Sequence, residues 1–277
     1  FGGKSTEHEI SVRSARSIIN ALDVSKYNIT LIGIDKNGKW FLNDLNKFLS
    51  ASNKQIAVPL ESALEEISMV KNEHFKGAVE VNSNRFIQPI DVVFPILHGS
   101  FGEDGTIQGI LRALDLPFVG VDLLASAIGM DKDVTKRLLR DAGIPIADYI
   151  CLRKNNVPIN SFEVLSQKLG LPLFVKPANA GSSVGVHKVS TPQEFNLAIE
   201  DAFQYDIKIL VEEAIVGKEV ECAILGNEDA KASVIGEIIP ISSFYTYESK
   251  YLNSTDASLN IPAHIDDNIA AQIQITA

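Results

Sequence analysis

A lysine followed by a loop of small residues between two apolar runs most constrains what this chain can form. The stretch is FVKPANAGSSVGV over residues 174–186, and Lys176 ends its first apolar run. Gly181 and Gly185 allow backbone angles that other residues avoid, so amides of the loop can point into one concavity. The lysine adds a point charge at the base of the loop. This composition suits a loop that closes over phosphates, and a surface hairpin with a solvated lysine is the alternative.

Composition narrows the class of protein. Hydrophobic residues make up 45% of the 277 residues and charged residues 22%, as expected of a globular protein with a substantial core. The formal net charge of −10 argues against a nucleic-acid or membrane-surface partner. No apolar run approaches the roughly 18 residues of a membrane span. Cys151 and Cys222 lack metal-ligand spacing, which favours reduced core thiols and a cytoplasmic location.

Both ends of the sequence have the character of cut ends. The chain opens on Phe1 and two glycines with no methionine, as if a strand preceded them. It closes inside residues 268–273, a helical pattern without a stop signal. We therefore expect a chain trimmed at both ends.

The first half alternates between strands and helices. Apolar strands are predicted over 27–34 and 90–97, and helices over 107–114 and 123–129. This alternation predicts a Rossmann-like first domain that ends near residue 124. After the first strand, residues 36–38 predict a turn towards residues 40–42; residues 43–86 are polar and uninformative, and only 60–67 look helical.

Two stretches of this half hold candidate site residues. Thr6 and Glu9 have capping-box spacing, which predicts a helix start with Glu7 in its first turn. Glu7 alone would be interpreted as a carboxylate that favours the helix dipole. His98 opens a loop with three glycines and two acids just past a predicted strand, the usual ligand side of an open α/β sheet. An ordinary loop histidine is the equal alternative.

The second half adds further charged candidates. A helix from residue 131 carries Lys132, which spacing alone would leave as a solvated lysine. Thr191 and Glu194 have capping-box spacing around a proline, which predicts a helix to about residue 203. Glu212 and Glu213 end a predicted strand, Glu219 begins another, and all three could be surface acids. The polar loop 242–258 holds four aromatic residues, which favours a lid over a disordered linker.

Taken together, these stretches resemble the D-alanine–D-alanine ligases of the ATP-grasp superfamily. The resemblance is collinear and covers almost the whole chain. The matching stretches are GGKSTEHEIS (2–11), LHG (97–99), GEDGT (102–106), GMDK (129–132), VKP (175–177), GSSVG (181–185), VEE (211–213), GKE (217–219), FY (244–245), ESKY (248–251) and PA (262–263).

The resemblance implies an α/β fold, α+β in its ATP-grasp part, with a Rossmann-like N-terminal domain and an incomplete C-terminal part. It divides the chain into an N-terminal substrate domain (1–124), the small central subdomain of the ATP-grasp unit (125–213) and the start of its large subdomain (214–277). ATP would lie between two small sheets. The activity implied is the ATP-dependent joining of two D-alanines through an acyl phosphate, for peptidoglycan precursors in the cytoplasm, by a homodimer.

The resemblance also implies roles for individual residues. Glu7 would hold the ammonium group of the first D-alanine, with His98 nearby, and Glu7, Ser182 and Tyr251 would form a hydrogen-bonded set. The residues implied to bind the nucleotide are Lys132, Lys176, Ser183, Glu212, Glu213, Ile215, Glu219, Tyr245 and Lys250. In this family the Mg²⁺ (or Mn²⁺) carboxylates and an oxyanion arginine come from a segment beyond residue 277, so no metal ligand is assigned here.

Two alternatives stay open at this stage. One is a sister ligase that joins D-alanine to D-lactate or D-serine, although the resemblance suggests that Tyr251 beside Lys250 favours the dipeptide. The other is a nucleotide-binding homologue without catalytic activity.

Overall fold

The computed structural model describes residues 1–50, 65–158, 161–240 and 257–277. These residues divide into two compact units, which are described separately. Unit 1 comprises residues 1–135 with 179–181, and unit 2 comprises residues 136–178 with 182–277.

The elements alternate along the chain. In the described ranges the helices are α1 (His8–Ala21), α2 (Leu45–Ser50), α3 (Thr106–Ala113), α4 (Leu123–Met130), α5 (Lys132–Asp141), α6 (Ser161–Leu169), α7 (Pro192–Tyr205) and α8 (Asp267–Thr276). The strands are β1 (Leu31–Ile34), β2 (Trp40–Asn43), β3 (Glu66–Lys71), β4 (Lys76–Glu80), β5 (Phe86–Pro89), β6 (Tyr149–Arg153), β7 (Leu173–Pro177), β8 (His187–Val189), β9 (Lys208–Glu213), β10 (Glu219–Glu221), β11 (Ile224–Leu225), β12 (Lys231–Ala232), β13 (Gly236–Pro240) and β14 (Ala257–Asn260).

Parallel pairing forms the centre of unit 1. Gly2 forms parallel bridges with Ile34 of β1 and with Leu97, and Val93 forms one with Phe118. This order of parallel segments, with α1 and α3 between them in sequence, confirms the Rossmann-like prediction. The predicted strand 90–97 is an extended segment held by single bridges rather than a continuous ladder.

An antiparallel extension continues this unit from β1. Strands β1 to β5 pair in sequence order, each antiparallel to the next. The sequence did not predict β3 to β5, and β3 and β4 lie in the region described above as uninformative. The helix expected over 60–67 is wrong where it can be compared, since Glu66 and Ile67 lie in β3; residues 60–64 are outside the described residues.

Helix α1 begins differently from its sequence prediction. Its N-cap residue is Glu7, which makes no capping hydrogen bond with its side chain. Glu9 pairs instead with Lys36, with 2.5 Å between Oε1 and Nζ. The capping box of Thr6 and Glu9 is therefore wrong, because the second carboxylate turns outward to a lysine. The helix packs through an apolar stripe, since Val12, Ala15 and Ile19 are buried beside β1.

A four-stranded antiparallel sheet is the centre of unit 2. Its order is β6-β9-β7-β8, with β9 between β6 and β7. Helices α6 and α7 bury their apolar residues against it. The capping box predicted for α7 is confirmed, with Thr191 accepting from the Glu194 amide and the Glu194 carboxylate accepting in return. Further along, β10, β13 and β14 form a three-stranded antiparallel sheet.

The part of the chain that the structure describes contains no helix long and apolar enough to cross a membrane. Cys151 and Cys222 form no disulfide, and both are half-buried rather than enclosed in a core.

Candidate functional site

The loop between β7 and β8 has an unusual backbone. Ser182 and Ser183 have φ of 50° and 61°, in the left-handed region that residues with a side chain rarely adopt. Gly185 has φ of 65°, and a Cβ at that position would begin 2.6 Å from the Tyr205 ring. The sequence argument predicted special backbone angles at Gly181 and Gly185. It is correct for Gly185 and wrong for Gly181, which is outside the residues with positive φ.

Position 181 favours glycine for a steric reason, and the side chain that a Cβ would crowd belongs to unit 1. A Cβ at position 181 would begin 3.1 Å from Oε2 of Glu7. A Cβ at Gly99 would begin 2.4 Å from the same oxygen. Glu7 is 4% exposed. Its carboxylate therefore occupies a narrow space bordered by two glycines, where a side chain on either would displace it.

Hydrogen bonds join the segment of Glu7 to the segment of His98. The Ser5 hydroxyl donates to the His98 carbonyl over 2.6 Å and accepts from the Glu7 amide over 3.1 Å. The His98 ring is bonded at Nε2 to the Ser14 hydroxyl over 2.9 Å. The structure thus brings together Glu7 and His98, the two residues proposed for the first D-alanine.

Glu103 was not assigned from the sequence and lies against His98. Its Oε1 is 3.9 Å from the ring Nδ1, and its Oε2 accepts from the Gly99 amide over 2.7 Å. The Glu103 carboxylate raises the pKa of His98, with a smaller contribution from Glu7, against the lowering effect of burial. Burial would raise the pKa of Glu103, but His98 and the Gly99 amide lower it. Glu103 could have been proposed from the sequence, because it is one of two acids in the same glycine loop as His98.

Lys132 lies at the start of α5, in unit 1. Its ammonium group donates to the carbonyl of Ala180, in the segment that leads to Gly181. The lysine therefore contacts the glycine loop itself rather than bulk solvent alone.

Lys176 and Glu212 form an ion pair in unit 2, and their positions follow from the register of the sheet. Lys176 of β7 is opposite Leu210 of β9, so Glu212 is its diagonal neighbour on the same face. Tyr149 of β6 is directly opposite Glu212. Oε2 of Glu212 contacts Nζ of Lys176, and the Glu212 side chain is 7% exposed.

Lys136 contacts the other oxygen of the same carboxylate. Its Nζ lies 3.0 Å from Oε1 of Glu212 and 3.1 Å from the Ala147 carbonyl. It also lies 5.3 Å from the centre of the Tyr149 ring. The contact between Lys136 and Glu212 was not predicted from the sequence, because a lysine on an amphipathic helix is normally solvated.

The other acids predicted to meet the nucleotide are more exposed. Oε1 of Glu213 accepts from the Asp148 amide over 2.7 Å, which ties the end of β9 to the segment before β6. Ile215 is 68% exposed just after this strand. Glu219 is exposed at the start of β10, where it is paired with Ile238 of β13. Tyr245, Lys250 and Tyr251 lie outside the described residues, as does the lid predicted over 242–258 except for residues 257 and 258, which belong to β14.

The described residues do not provide a metal centre. Across 1–50, 65–158, 161–240 and 257–277 there is no group of three or more histidine, cysteine, aspartate or glutamate side chains that could hold a metal ion. The carboxylates among the candidate nucleotide residues have other partners: Glu212 is paired with two lysines, and Glu213 accepts from the Asp148 amide. These residues therefore do not fit a Mg²⁺ site.

Comparison with known proteins supplies the family. A family model described as the D-ala D-ala ligase N-terminus matches residues 1–121, and a model of the D-ala D-ala ligase C-terminus matches residues 138–277. A D-alanine–D-alanine ligase of Oceanobacillus iheyensis is 49% identical over 99% of this chain and 75% of that protein. D-alanine–D-alanine ligase A of Escherichia coli K12 is 46% identical over 100% of this chain and 76% of that protein.

Solved structures agree with these relatives. The D-alanine–D-alanine ligase from Coxiella burnetii matches with a TM-score of 0.84 and 38% identity, over 99% of this chain and 73% of that one. The VanG D-Ala:D-Ser ligase from Enterococcus faecalis matches with a TM-score of 0.84 and 37% identity, over 100% of this chain and 78% of that one. The chain belongs to the D-alanine–D-alanine ligase family of ATP-grasp enzymes.

Proposed function

We propose that this protein joins two D-alanines into D-alanyl-D-alanine at the expense of ATP, forming ADP and phosphate, for the synthesis of peptidoglycan precursors. The observation that carries the proposal is the buried Glu7 carboxylate between Gly99 and Gly181, next to His98. It supplies a negative charge in a narrow, water-poor space. An amino acid's ammonium group is the natural partner for such a charge.

The reaction requires activation of a poor electrophile. A carboxylate oxygen of the first D-alanine attacks the γ-phosphorus of ATP, and the bond from that phosphorus to ADP breaks. The amine of the second D-alanine then attacks the acyl carbon, phosphate leaves with the bonding electrons, and the amine loses a proton. Positioning and charge neutralisation dominate such phosphoryl transfer.

We assign the chain's residues to this reaction as follows. Glu7 would anchor the first D-alanine's ammonium group with His98 beside it, and Ser182 and Tyr251 would complete the set that holds the closed state. Lys132, Lys176, Lys250 and the Ser183 amide would bind phosphates. The residues proposed for the adenosine part are Glu212, Glu213, Ile215, Glu219 and Tyr245.

Several finer assignments belong to the same proposal. We infer the domain division 1–124, 125–213 and 214–277, with ATP held in the last two parts. Mg²⁺ (or Mn²⁺) would accompany ATP, with ligands outside the described residues. A homodimer in the cytoplasm is proposed from the family resemblance, and Cys151 and Cys222, which form no disulfide, suit a reducing compartment.

The second candidate is a ligase that accepts D-serine, which the similarity to the VanG D-Ala:D-Ser ligase favours. A single experiment separates the candidates. The protein in its full natural length is incubated with ATP, Mg²⁺ and D-alanine, alone or with D-serine or D-lactate, and ADP release is followed with product analysis. D-Alanyl-D-alanine as the main product is expected. ADP release only with D-serine or D-lactate present would overturn the proposal, as would the absence of any D-alanine-dependent turnover.

A further inference from the structure

The buried carboxylate of Glu212 lies between two lysines. One oxygen contacts Lys136 and the other contacts Lys176. The exposed fractions of the three side chains are 7% for Glu212, 14% for Lys136 and 21% for Lys176. All three belong to unit 2. The cluster thus combines two cations with a single anion in a mostly desolvated place.

The two lysines are held differently. Lys136 also donates to the Ala147 carbonyl and lies on the Tyr149 ring, so its ammonium group is fixed by protein groups on several sides. Lys176 has Glu212 as its one polar side-chain partner in the described part of the chain. An ammonium group has three donors. Lys176 therefore keeps more donors for a ligand than Lys136, which is also engaged by the Ala147 carbonyl and the Tyr149 ring.

The charges of the three side chains determine whether the cluster attracts or repels a phosphate. If Glu212 faced Lys176 alone, the two would form a neutral pair, and the carboxylate would repel an approaching phosphate. Lys136 compensates one carboxylate oxygen and leaves the cluster with a net positive charge. In a low-dielectric place an unmatched charge acts strongly on an anion nearby.

We propose that Lys136 is a positioning residue for ATP: it holds Glu212 so that the Lys176 ammonium group stays directed at, and available to, the nucleotide's phosphates. This inference rests on the proposed function, because it takes Lys176 as a phosphate-binding residue. Lys136 itself contacts no substrate in this account and acts through the carboxylate.

A purely structural role is the competing explanation, since Lys136 also links α5 to the end of β6 and to β9. The two roles predict different measurements. A structural lysine changes the melting temperature and leaves the affinity for ATP unchanged in the folded protein. A positioning lysine changes the affinity for ATP while KM for D-alanine stays the same.

The test uses the full-length protein and a non-hydrolysable ATP analogue, with affinity measured by calorimetry. Lys136→Gln removes the charge but keeps a donor for the Ala147 carbonyl, and we expect binding roughly tenfold weaker, the scale on which a supporting residue behind a binding group acts. Lys136→Arg keeps the charge and should bind within about threefold of the wild type, the scatter expected of a retained contact.

The double variant Lys136→Gln with Glu212→Gln sharpens the test. If Lys136 acts through this carboxylate, the affinity lost on Lys136→Gln should be smaller when Glu212→Gln is already present than in the wild-type background. Lys154→Met is the matched control, because Lys154 also donates to a backbone carbonyl of the same unit, that of Phe203 over 3.1 Å, and has no carboxylate partner among the described residues. It should leave affinity unchanged.

The outcomes are distinguishable. A wild-type protein that does not bind the analogue refutes the proposed function itself. A wild type that binds, together with a folded Lys136→Gln variant of equal affinity, overturns the positioning role. Additive losses in the double variant also overturn it, because they leave no coupling through Glu212. Should Lys136→Gln fail to fold, Lys136→Met takes its place: the inference fails if the folded Lys136→Met variant binds the analogue with the affinity of the wild type.

Discussion

The α-carbon of Gly181 lies so close to the Glu7 carboxylate that a methyl group on it would begin 3.1 Å from Oε2. This contact joins the glycine loop to the first turn of α1 inside one unit. It gives Gly181 a role that depends on its lack of a side chain and not on its backbone angles. The position of the carboxylate that we propose as the substrate anchor is thereby linked to the loop that we propose to bind phosphate.

Gly181→Ala is expected to impair D-alanine use more than folding. At 3.1 Å the carboxylate has to move by a few tenths of an ångström, while the backbone of residue 181 tolerates alanine. We expect kcat/KM for D-alanine to fall about tenfold, or about 1.4 kcal/mol. Gly129→Ala is the control, because a Cβ there would meet nothing within 4 Å. Equal kinetics for the two variants would contradict a tight space around Glu7.

Glu7→Gln keeps the shape of the side chain and removes its charge. If Glu7 acted only on the helix dipole, the change would cost about 0.3–1 kcal/mol of stability and leave catalysis intact. As an anchor for an ammonium group it should cost several kcal/mol of transition-state binding with little change in melting temperature. The measurements are kcat/KM for D-alanine at its first site and a thermal melt. A variant that melts early but keeps near-normal kcat/KM would assign Glu7 to the helix alone.

Lys176→Met tests the phosphate site directly. The loss of one charge-assisted hydrogen bond should weaken ATP binding by about 1.5–3 kcal/mol. Calorimetry on the folded variant measures this loss. Lys188→Met, an exposed lysine on the neighbouring strand β8, serves as the control and should not alter the affinity. Unchanged ATP affinity in Lys176→Met would show that Lys176 does not bind the phosphates of ATP.

The pair of His98 and Glu103 predicts a pH dependence of stability. The pKa of His98 is raised above 6.5, so its contribution is fully present below pH 6.5 and is lost as pH rises through the folded-state pKa. The pKa of Glu103 is lowered from 4.5, so its contribution is present above pH 4.5 and is lost as pH falls through the folded-state value. The pair stabilises the fold between these limits.

Glu103→Gln checks this window. The difference in the free energy of unfolding between wild type and variant should be largest near pH 5.5 and should shrink by pH 8.5, when His98 is neutral. Urea titrations at the two pH values measure it. A difference that stays constant with pH would show that Glu103 acts through the Gly99 amide and not through the histidine.

Thr191→Ala tests a structural prediction away from the site. The Thr191 side chain accepts the Glu194 amide at the start of α7, and its loss should destabilise the protein by about 1 kcal/mol. Chemical denaturation measures the change, and ATP affinity should remain that of the wild type. The comparison is Glu9→Gln, which alters an exposed ion pair rather than a cap and should change stability by less than about 0.5 kcal/mol.

The two capping boxes show what local sequence can predict. The Thr191–Glu194 capping box forms as expected, because a proline follows the cap and the Glu194 carboxylate has no lysine or arginine partner among the described residues. Thr6–Glu9 did not form, because Lys36 of a distant turn binds the second carboxylate. The same limit applies to the site. Lys176 was proposed from its local pattern and Glu7 from the family resemblance of its motif, whereas the contacts of Gly181 and Lys136 depend on segments far away in sequence.

The strand predictions for residues 90–97 and for β3 to β5 failed because strand pairing also depends on where the partner segment lies. Residues 90–97 are as apolar as a buried strand, yet only single bridges hold them, because their pairing depends on where Gly2 and Phe118 lie. Strands β3 to β5 carry a weaker apolar pattern and still pair along their lengths, since each is joined to its neighbour by a short turn. The hydrophobicity of a segment predicts its burial better than it predicts continuous pairing with a neighbouring strand.

The left-handed backbone at Ser182 and Ser183 has a consequence for evolution and engineering. A residue with a side chain held there costs about 1–3 kcal/mol, and glycine at either position would recover part of it. A laboratory selection for heat resistance alone would therefore favour glycine at 182 or 183. The same exchange would delete a hydroxyl group and loosen the loop that orients the amides. Under the proposed function, thermal stability and turnover thus make opposite demands on residues 182 and 183.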